Sequence, residues 1–239
     1  MEKLNLFVYL MLMKLINPLK RLIAMVRVDQ QNPFEIVHKR SIETSADYIA
    51  SNLQGALLFP RKKELWGFSL RSCLFKGLNL EFGVYDGQSI RQMAITFPER
   101  TFFGFDSFIG LQEDWKGNQF EKGSFSRKGK IPKVPKNVVL IKGWFNDSLP
   151  VFLRANYGDV SFIHFDADTY ESTHYVLVTL KNRLQKGTVI VFDEYFGYPN
   201  WENGEFKAWK EFTKSNNIEY RYLGFSTGQS SIQITNLSW

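Results

Sequence analysis

With 239 residues, 44% of them hydrophobic and 16% aromatic, the chain can bury one full α/β core and line a cleft with rings. Its single cysteine, Cys73, excludes an intramolecular disulfide and, beside only three histidines, a cysteine-based zinc site, so a reducing, cytoplasmic setting is expected. The net charge of +6 gathers in residues 1–28, where five basic side chains face Glu2 alone; the nearly neutral remainder argues against a general nucleic-acid binder.

Residues 1–28 form a basic, apolar arm. Its unbroken run Leu6 to Met13 is stopped by Lys14, Asn17 and Pro18, far short of the ~20 residues a spanning helix needs. No small-residue cleavage site follows the run, so a secretory signal fits poorly. Two readings stay open: an arm packed on this domain or on a partner subunit in a homo-oligomer, and a helix lying on a membrane surface. The packed arm is favoured, because apolar patches more often mark protein contacts. Residues 29–77 read as a helical cap. Asp29 to Phe34 is a polar linker, Ser45 to Leu58 has helical spacing ended by Phe59-Pro60, and a second helix covers Leu65 to Phe75. This cap should cover the sheet or line the mouth of its cleft.

From Leu78 to residue 239 strand and helix patterns alternate, as in a single domain. Strands are predicted at Leu78–Phe82, Thr101–Phe105, Val138–Ile141, Val160–Phe165, Thr188–Phe192, Glu219–Gly224 and Ser231–Thr235. Helices are predicted at Ser89–Phe97, Ser148–Tyr157, Ser172–Leu184 and Glu205–Lys214. Near-continuous apolar strands imply a mostly parallel seven-stranded sheet with helices on both faces. The last two strands, joined by Phe225-Ser226-Thr227-Gly228, should form an antiparallel hairpin. This order resembles the Rossmann-like plan of class I methyltransferases.

The first strand and its turn read Glu81-Phe82-Gly83-Val84-Tyr85-Asp86-Gly87, followed by Gln88 and Ser89. Gly83 and Gly87 allow a sharp turn and a close backbone approach to a ligand. Tyr85 stands where dinucleotide enzymes carry the glycine that admits a pyrophosphate, which disfavours NAD. S-adenosylmethionine has no pyrophosphate and carries a sulfonium and an amino group, so Glu81, expected to face the crevice, suits it better. Asp106 ends the second strand at the position where such folds accept hydrogen bonds from ribose hydroxyls; the alternative is a turn cap ahead of Ser107.

The fourth strand runs out into Asp166-Ala167-Asp168 and the fifth into Asp193-Glu194, so four carboxylates should converge at one sheet edge. Such crowding raises the carboxyl pKa values unless a cation sits among them, and oxygen-only ligands suit a hard divalent ion such as Mg²⁺ or Mn²⁺. His164 is read as a packed strand residue without a catalytic part. Between the second and third strands, Lys116 to Lys136 holds seven Lys or Arg against Glu121, with Phe120 and Phe125 interleaved. It is either a solvated loop or one that folds over a ligand.

Five ordered blocks carry a family resemblance: Leu80–Ser89; Gly104-Phe105-Asp106-Ser107-Phe108 with Gly110-Leu111; Gly143-Trp144-Phe145 with Leu149-Pro150; Phe162 to Tyr170 with Ser172-Thr173; and Val191 to Tyr195 with Tyr198-Pro199. As a set they resemble the macrocin O-methyltransferase family. The resemblance implies an S-adenosylmethionine-using, Mg²⁺-dependent enzyme that methylates a hydroxyl of a sugar or glycosylated small molecule. It implies metal ligation by Asp166, Asp193 and Glu194, with Asp168 as general base. It also places Glu81, Gly83 and Ser89 around the methionine part of the cofactor, Asp106 at its ribose and Gly143, Trp144 and Phe145 near its adenine. Tyr85, Gly87, Ser107 and Asp166 complete the expected cofactor set. Residues 1–60 show no family pattern.

Overall fold

The computed structural model describes residues 32–238, so the arm over residues 1–28, the start of the linker and Trp239 lie outside the described residues. The first helix, α1 (Pro33–Asn52), starts ahead of its predicted position. Asn32 caps it by accepting the Phe34 N–H at 3.1 Å, and Pro33 takes the first helical position, where its missing N–H costs nothing. A two-residue strand, β1 (Leu57–Leu58), and α2 (Lys62–Arg71) follow.

The alternating part then comprises β2 (Leu78–Phe82), α3 (Gln88–Thr96), β3 (Phe102–Asp106), β4 (Val138–Lys142), α4 (Phe145–Ala155) and β5 (Val160–Phe165). It closes with α5 (Tyr170–Leu180), β6 (Val189–Phe192), α6 (Glu205–Ser215), β7 (Glu219–Ser226) and β8 (Gln229–Asn236). One sheet takes the order β1-β7-β8-β6-β5-β2-β3-β4. It is parallel except at β8, which pairs antiparallel with β6 and β7. The fold class is therefore the one expected, with an eighth strand in place of seven. That strand is β1, which pairs parallel to β7 through Leu57↔Gly224 and Leu58↔Phe225.

The core divides by sheet face. Leu80, Phe82, Ile163, Phe165, Ile190 and Phe192 pack against α4, α5 and α6, while Phe102, Phe162, Val189 and Val191 pack against α2 and α3. This alternation also places polar residues. Glu81 and His164 are register partners on adjacent strands, and both lie on the α2–α3 face. Among the described residues no helix is long and apolar enough to cross a membrane.

Candidate active site

The carboxyl ends of β2, β3, β5 and β6 open into a cavity of about 780 Å³. Gly83 (φ +90°) closes the turn after β2, where a Cβ would meet the Asp166 carbonyl oxygen at 1.8 Å. Glycine is required at this point because the β2 turn and the β5 turn touch through backbone alone. The Asp106 carboxylate fastens the same turn. Its Oδ2 accepts the N–H groups of Val84 (2.8 Å) and Tyr85 (2.7 Å), and its Oδ1 accepts that of Phe108 (2.6 Å). Asp106 thus serves as the turn cap and lines the cavity as well. A carboxylate has about four lone-pair sites, which leaves capacity for a ligand donor.

The long connection contributes a wall. Trp115 stacks on Phe120, Phe120 meets Phe125, and Phe125 lies edge-on to Tyr85 at 5.9 Å between ring centres. Trp115, Phe120, Phe125 and Tyr85 all face the cavity, so this segment is folded over it. On the far side Trp144 and Phe145 open α4. Pro150 inside α4 leaves the Asn146 carbonyl without its helical donor, and the Tyr175 hydroxyl reaches it at 3.4 Å.

The floor is acidic. Asp166, Asp168 and Glu194 each offer an oxygen, all within 4.8 Å of one another. Asp168 sits at φ +63°, the centre of a three-residue turn closed by the Thr169 N–H on the Ala167 carbonyl at 2.7 Å. Aspartate tolerates this left-handed conformation better than most residues, and strained backbone of this kind gathers at functional sites. Behind the cluster, the buried Glu205 at the start of α6 accepts the N–H of Ala167 (3.3 Å) and of Glu194 (3.2 Å), tying the two acidic turns together. Burial, then the neighbouring carboxylates, push the carboxyls of Asp166, Asp168 and Glu194 well above their ordinary range. Burial likewise lifts Glu205 to about 8, against the pull of the backbone N–H of Glu194. Glu194 Oε2 is buried without a hydrogen-bond partner. Three mutually repelling carboxylates with an orphaned oxygen fit a hard divalent cation.

Two residues predicted for the cleft point elsewhere. Glu81, expected to face the crevice, is 1% exposed beneath the floor, where its Oε1 accepts from Ser89 Oγ and from His164 Nδ1 (2.8 Å). Asp193, expected in the metal cluster, is turned the same way: its Oδ1 accepts from His164 Nε2 (3.3 Å) and Gln229 Nε2, and its Oδ2 pairs with the Lys62 ammonium. The reason is strand alternation, which sends Glu81, His164 and Asp193 to the α2–α3 side. Burial alone would lower the His164 pKa; the hydrogen bonds and charges of Asp193 and Glu81 instead raise it to about 10. Burial opposes ionisation of Asp193, yet His164 and Lys62 hold its carboxyl at about 2.

Of the predicted site residues, the structure therefore gathers Gly83, Tyr85, Asp106, Ser107, Trp144, Phe145, Asp166, Asp168 and Glu194 around one cavity. Gly87 and Ser89 stand behind its rim at the start of α3, and Gly143 fixes the β4–α4 turn by donating to the Asp106 carbonyl at 3.0 Å. His164, Lys62, Gln229 and Glu205 were not predicted as site residues. No local motif marks them, since each acts through partners distant in sequence.

Residues 80–195 match the family profile Methyltransf_24, described as a methyltransferase domain. No curated protein matches the chain. Among solved structures, the chain is similar to the calicheamicin methyltransferase CalS11, at 22% identity over 85% of this chain and 93% of that one, with a TM-score of 0.59. It is also similar to the O-methyltransferase NovP, at 20% identity over 73% of this chain and 80% of that one, with a TM-score of 0.56. Residues 80–195 thus form a methyltransferase domain, and the chain is an enzyme of that class.

Proposed function

We propose that the chain is an S-adenosylmethionine-dependent O-methyltransferase acting on a hydroxyl of a sugar or glycosylated small molecule, with a divalent cation such as Mg²⁺ at the acidic floor. The observation that carries this is the meeting, in one cavity, of the Gly83–Asp106 turn with the Asp166, Asp168 and Glu194 carboxylates. Six carboxylates (Asp106, Glu113, Asp166, Asp168, Glu171 and Glu194) and, among the described residues, no lysine or arginine line that cavity, which suits a sulfonium and a metal ion. The sugar acceptor is supported by CalS11, described as a TDP-rhamnose 3'-O-methyltransferase, at 22% identity over 85% of this chain and 95% of that one, with a TM-score of 0.54.

The roles divide as follows. Gly83, Asp106, Ser107, Trp144 and Phe145 would hold the cofactor, and Asp166 and Glu194 the cation, with Asp168 at the third corner of the cluster. When bound, the cofactor would supply an electrophilic methyl group and the cation would acidify the acceptor hydroxyl. Asp168 takes the hydroxyl proton as the acceptor oxygen attacks the methyl group. Trp115, Phe120 and Phe125 offer ring faces to the acceptor and keep water from the reacting atoms.

Calorimetric titration tests the cofactor. S-adenosylmethionine and S-adenosylhomocysteine should bind and NAD(H) should not; binding of NAD(H) alone would sink the reading. Transfer of labelled methyl to a panel of sugar nucleotides and glycosides, with RNA as control, tests the acceptor, and label in RNA only would reject the sugar. The folded-over wall adds an expected result. Proteolysis within residues 116–136 should slow when cofactor and acceptor are both bound, whereas equal cleavage with and without them would make the segment a passive wall.

A further inference from the structure

Asp193 directly precedes Glu194, yet its carboxylate stays out of the three-carboxylate cluster. The restraint is a single side chain on one side. Oδ1 is held from the protein interior by His164 and Gln229, while Oδ2 is held by Lys62 alone. Lys62 opens α2, far away in sequence, and its side chain is 44% exposed against 6% for Asp193. Solvent beside this side chain gives the ammonium somewhere to move, while Asp193 remains anchored through Oδ1. Its charge also reaches beyond Asp193. Burial would lower the Lys62 pKa, but Asp193, Glu194 and Asp166 together raise it, and Lys62 in turn lowers the pKa of Asp168. The lysine is thus positioned as counter-ion to the whole acidic floor.

Resting on the cation site proposed above, we infer that Lys62 is a positioning residue that keeps the Asp193 carboxylate off the Asp166–Asp168–Glu194 cluster and releases it as a fourth ligand when a divalent cation binds. A divalent ion among three carboxylates attracts a fourth more strongly than a single ammonium does, because its charge is double and its neighbours are already desolvated. Release changes one contact only: Oδ2 exchanges the ammonium for the metal while His164 and Gln229 keep Oδ1.

The test is Mn²⁺ binding to the full chain, read by calorimetry and by the loss of the free-ion paramagnetic signal. Lys62→Gln should tighten Mn²⁺ about tenfold, because it removes both a competing partner and a nearby positive charge. Lys62→Arg, which retains the charge, should stay within about threefold of the parent. In the Asp193→Asn background the gain from Lys62→Gln should largely disappear, since two residues in direct contact do not act additively. A second reading uses the unaltered protein: amine acylation at Lys62, followed by mass spectrometry, should rise several-fold on adding Mn²⁺ while other lysines stay constant. Unchanged or weaker Mn²⁺ binding in Lys62→Gln, or unchanged acylation in a protein that binds Mn²⁺, overturns the role of Lys62. Failure of the parent and every variant to bind Mn²⁺ removes the cation site itself, and this role with it.

Discussion

Asp168→Asn is expected to lose roughly 10²–10⁴ in turnover while binding S-adenosylmethionine with unaltered affinity, the usual cost of removing a positioned proton acceptor. The substitution is a clean probe because asparagine tolerates a positive φ as well as aspartate does, so the turn at φ +63° survives. It also retains an oxygen at the third corner, leaving Asp166 and Glu194 to hold the cation. An amide cannot accept the hydroxyl proton. Single-turnover rates, with parallel Mn²⁺ and cofactor titrations, separate the chemistry from binding. The opposite pattern, with Mn²⁺ affinity lost in Asp168→Asn and kept in Asp166→Asn, would exchange the roles of the two aspartates.

His164→Leu should be the most destabilising of the single substitutions considered. It removes the positive centre between Glu81 and Asp193 and leaves two buried carboxylates facing an apolar side chain. Breaking a buried ion pair in this way costs about 3–5 kcal/mol, which in a domain of this size lowers Tm by roughly 6–20 °C. The pH dependence gives a second signature. Because the folded-state pKa of His164 is raised from 6.5 to about 10, its contribution is complete below pH 6.5 and fades as pH rises through about 10. Asp193, held at about 2, contributes above its ordinary 3.8 and loses that contribution as pH falls through about 2. Denaturant melts of the parent should therefore weaken towards pH 10, and those of His164→Leu should lack that component. A Tm shift under ~2 °C would show that the buried triad is not holding the strand ends together.

The sheet was readable because β5 and β6 are almost wholly apolar and punctuated by Asp or Gly, which leaves little choice of element. Leu57 and Leu58 could not be read as β1, since two residues carry no period and their pairing with Gly224 and Phe225 is a long-range event. The start of α1 reads as linker in the sequence because its apolar residues set up no buried stripe, and in the structure Phe34 and Val37 are indeed exposed. Within the site, the sequence brought Asp166, Asp168 and Glu194 to the correct sheet edge. Alternation along β2 and β6 turns Glu81 and Asp193 to the α2–α3 face, away from the cavity, and the partners that meet them there, His164 on the neighbouring strand and Lys62 on α2, are distant in sequence and marked by no local motif. His164 itself read as packing, and it is packed, but as the cation that joins two carboxylates across three strands.

Gly83 carries a consequence beyond its turn. The hydrogen in place of a side chain sets the gap between the β2 turn, proposed to hold the methyl donor, and the β5 turn that carries Asp166 and Asp168, because the Asp166 carbonyl rests directly on it. On the assignment proposed above, the tolerance for aligning donor and acceptor rests on one atom-sized spacer in the backbone and not on any side chain. A methyl group there would wedge the two halves apart by an ångström or more, and misplacement of about 1 Å can cost group-transfer chemistry on the order of a hundredfold even when both reactants remain bound. Alignment of donor and acceptor is in this sense a property of where the chain has no side chain at all.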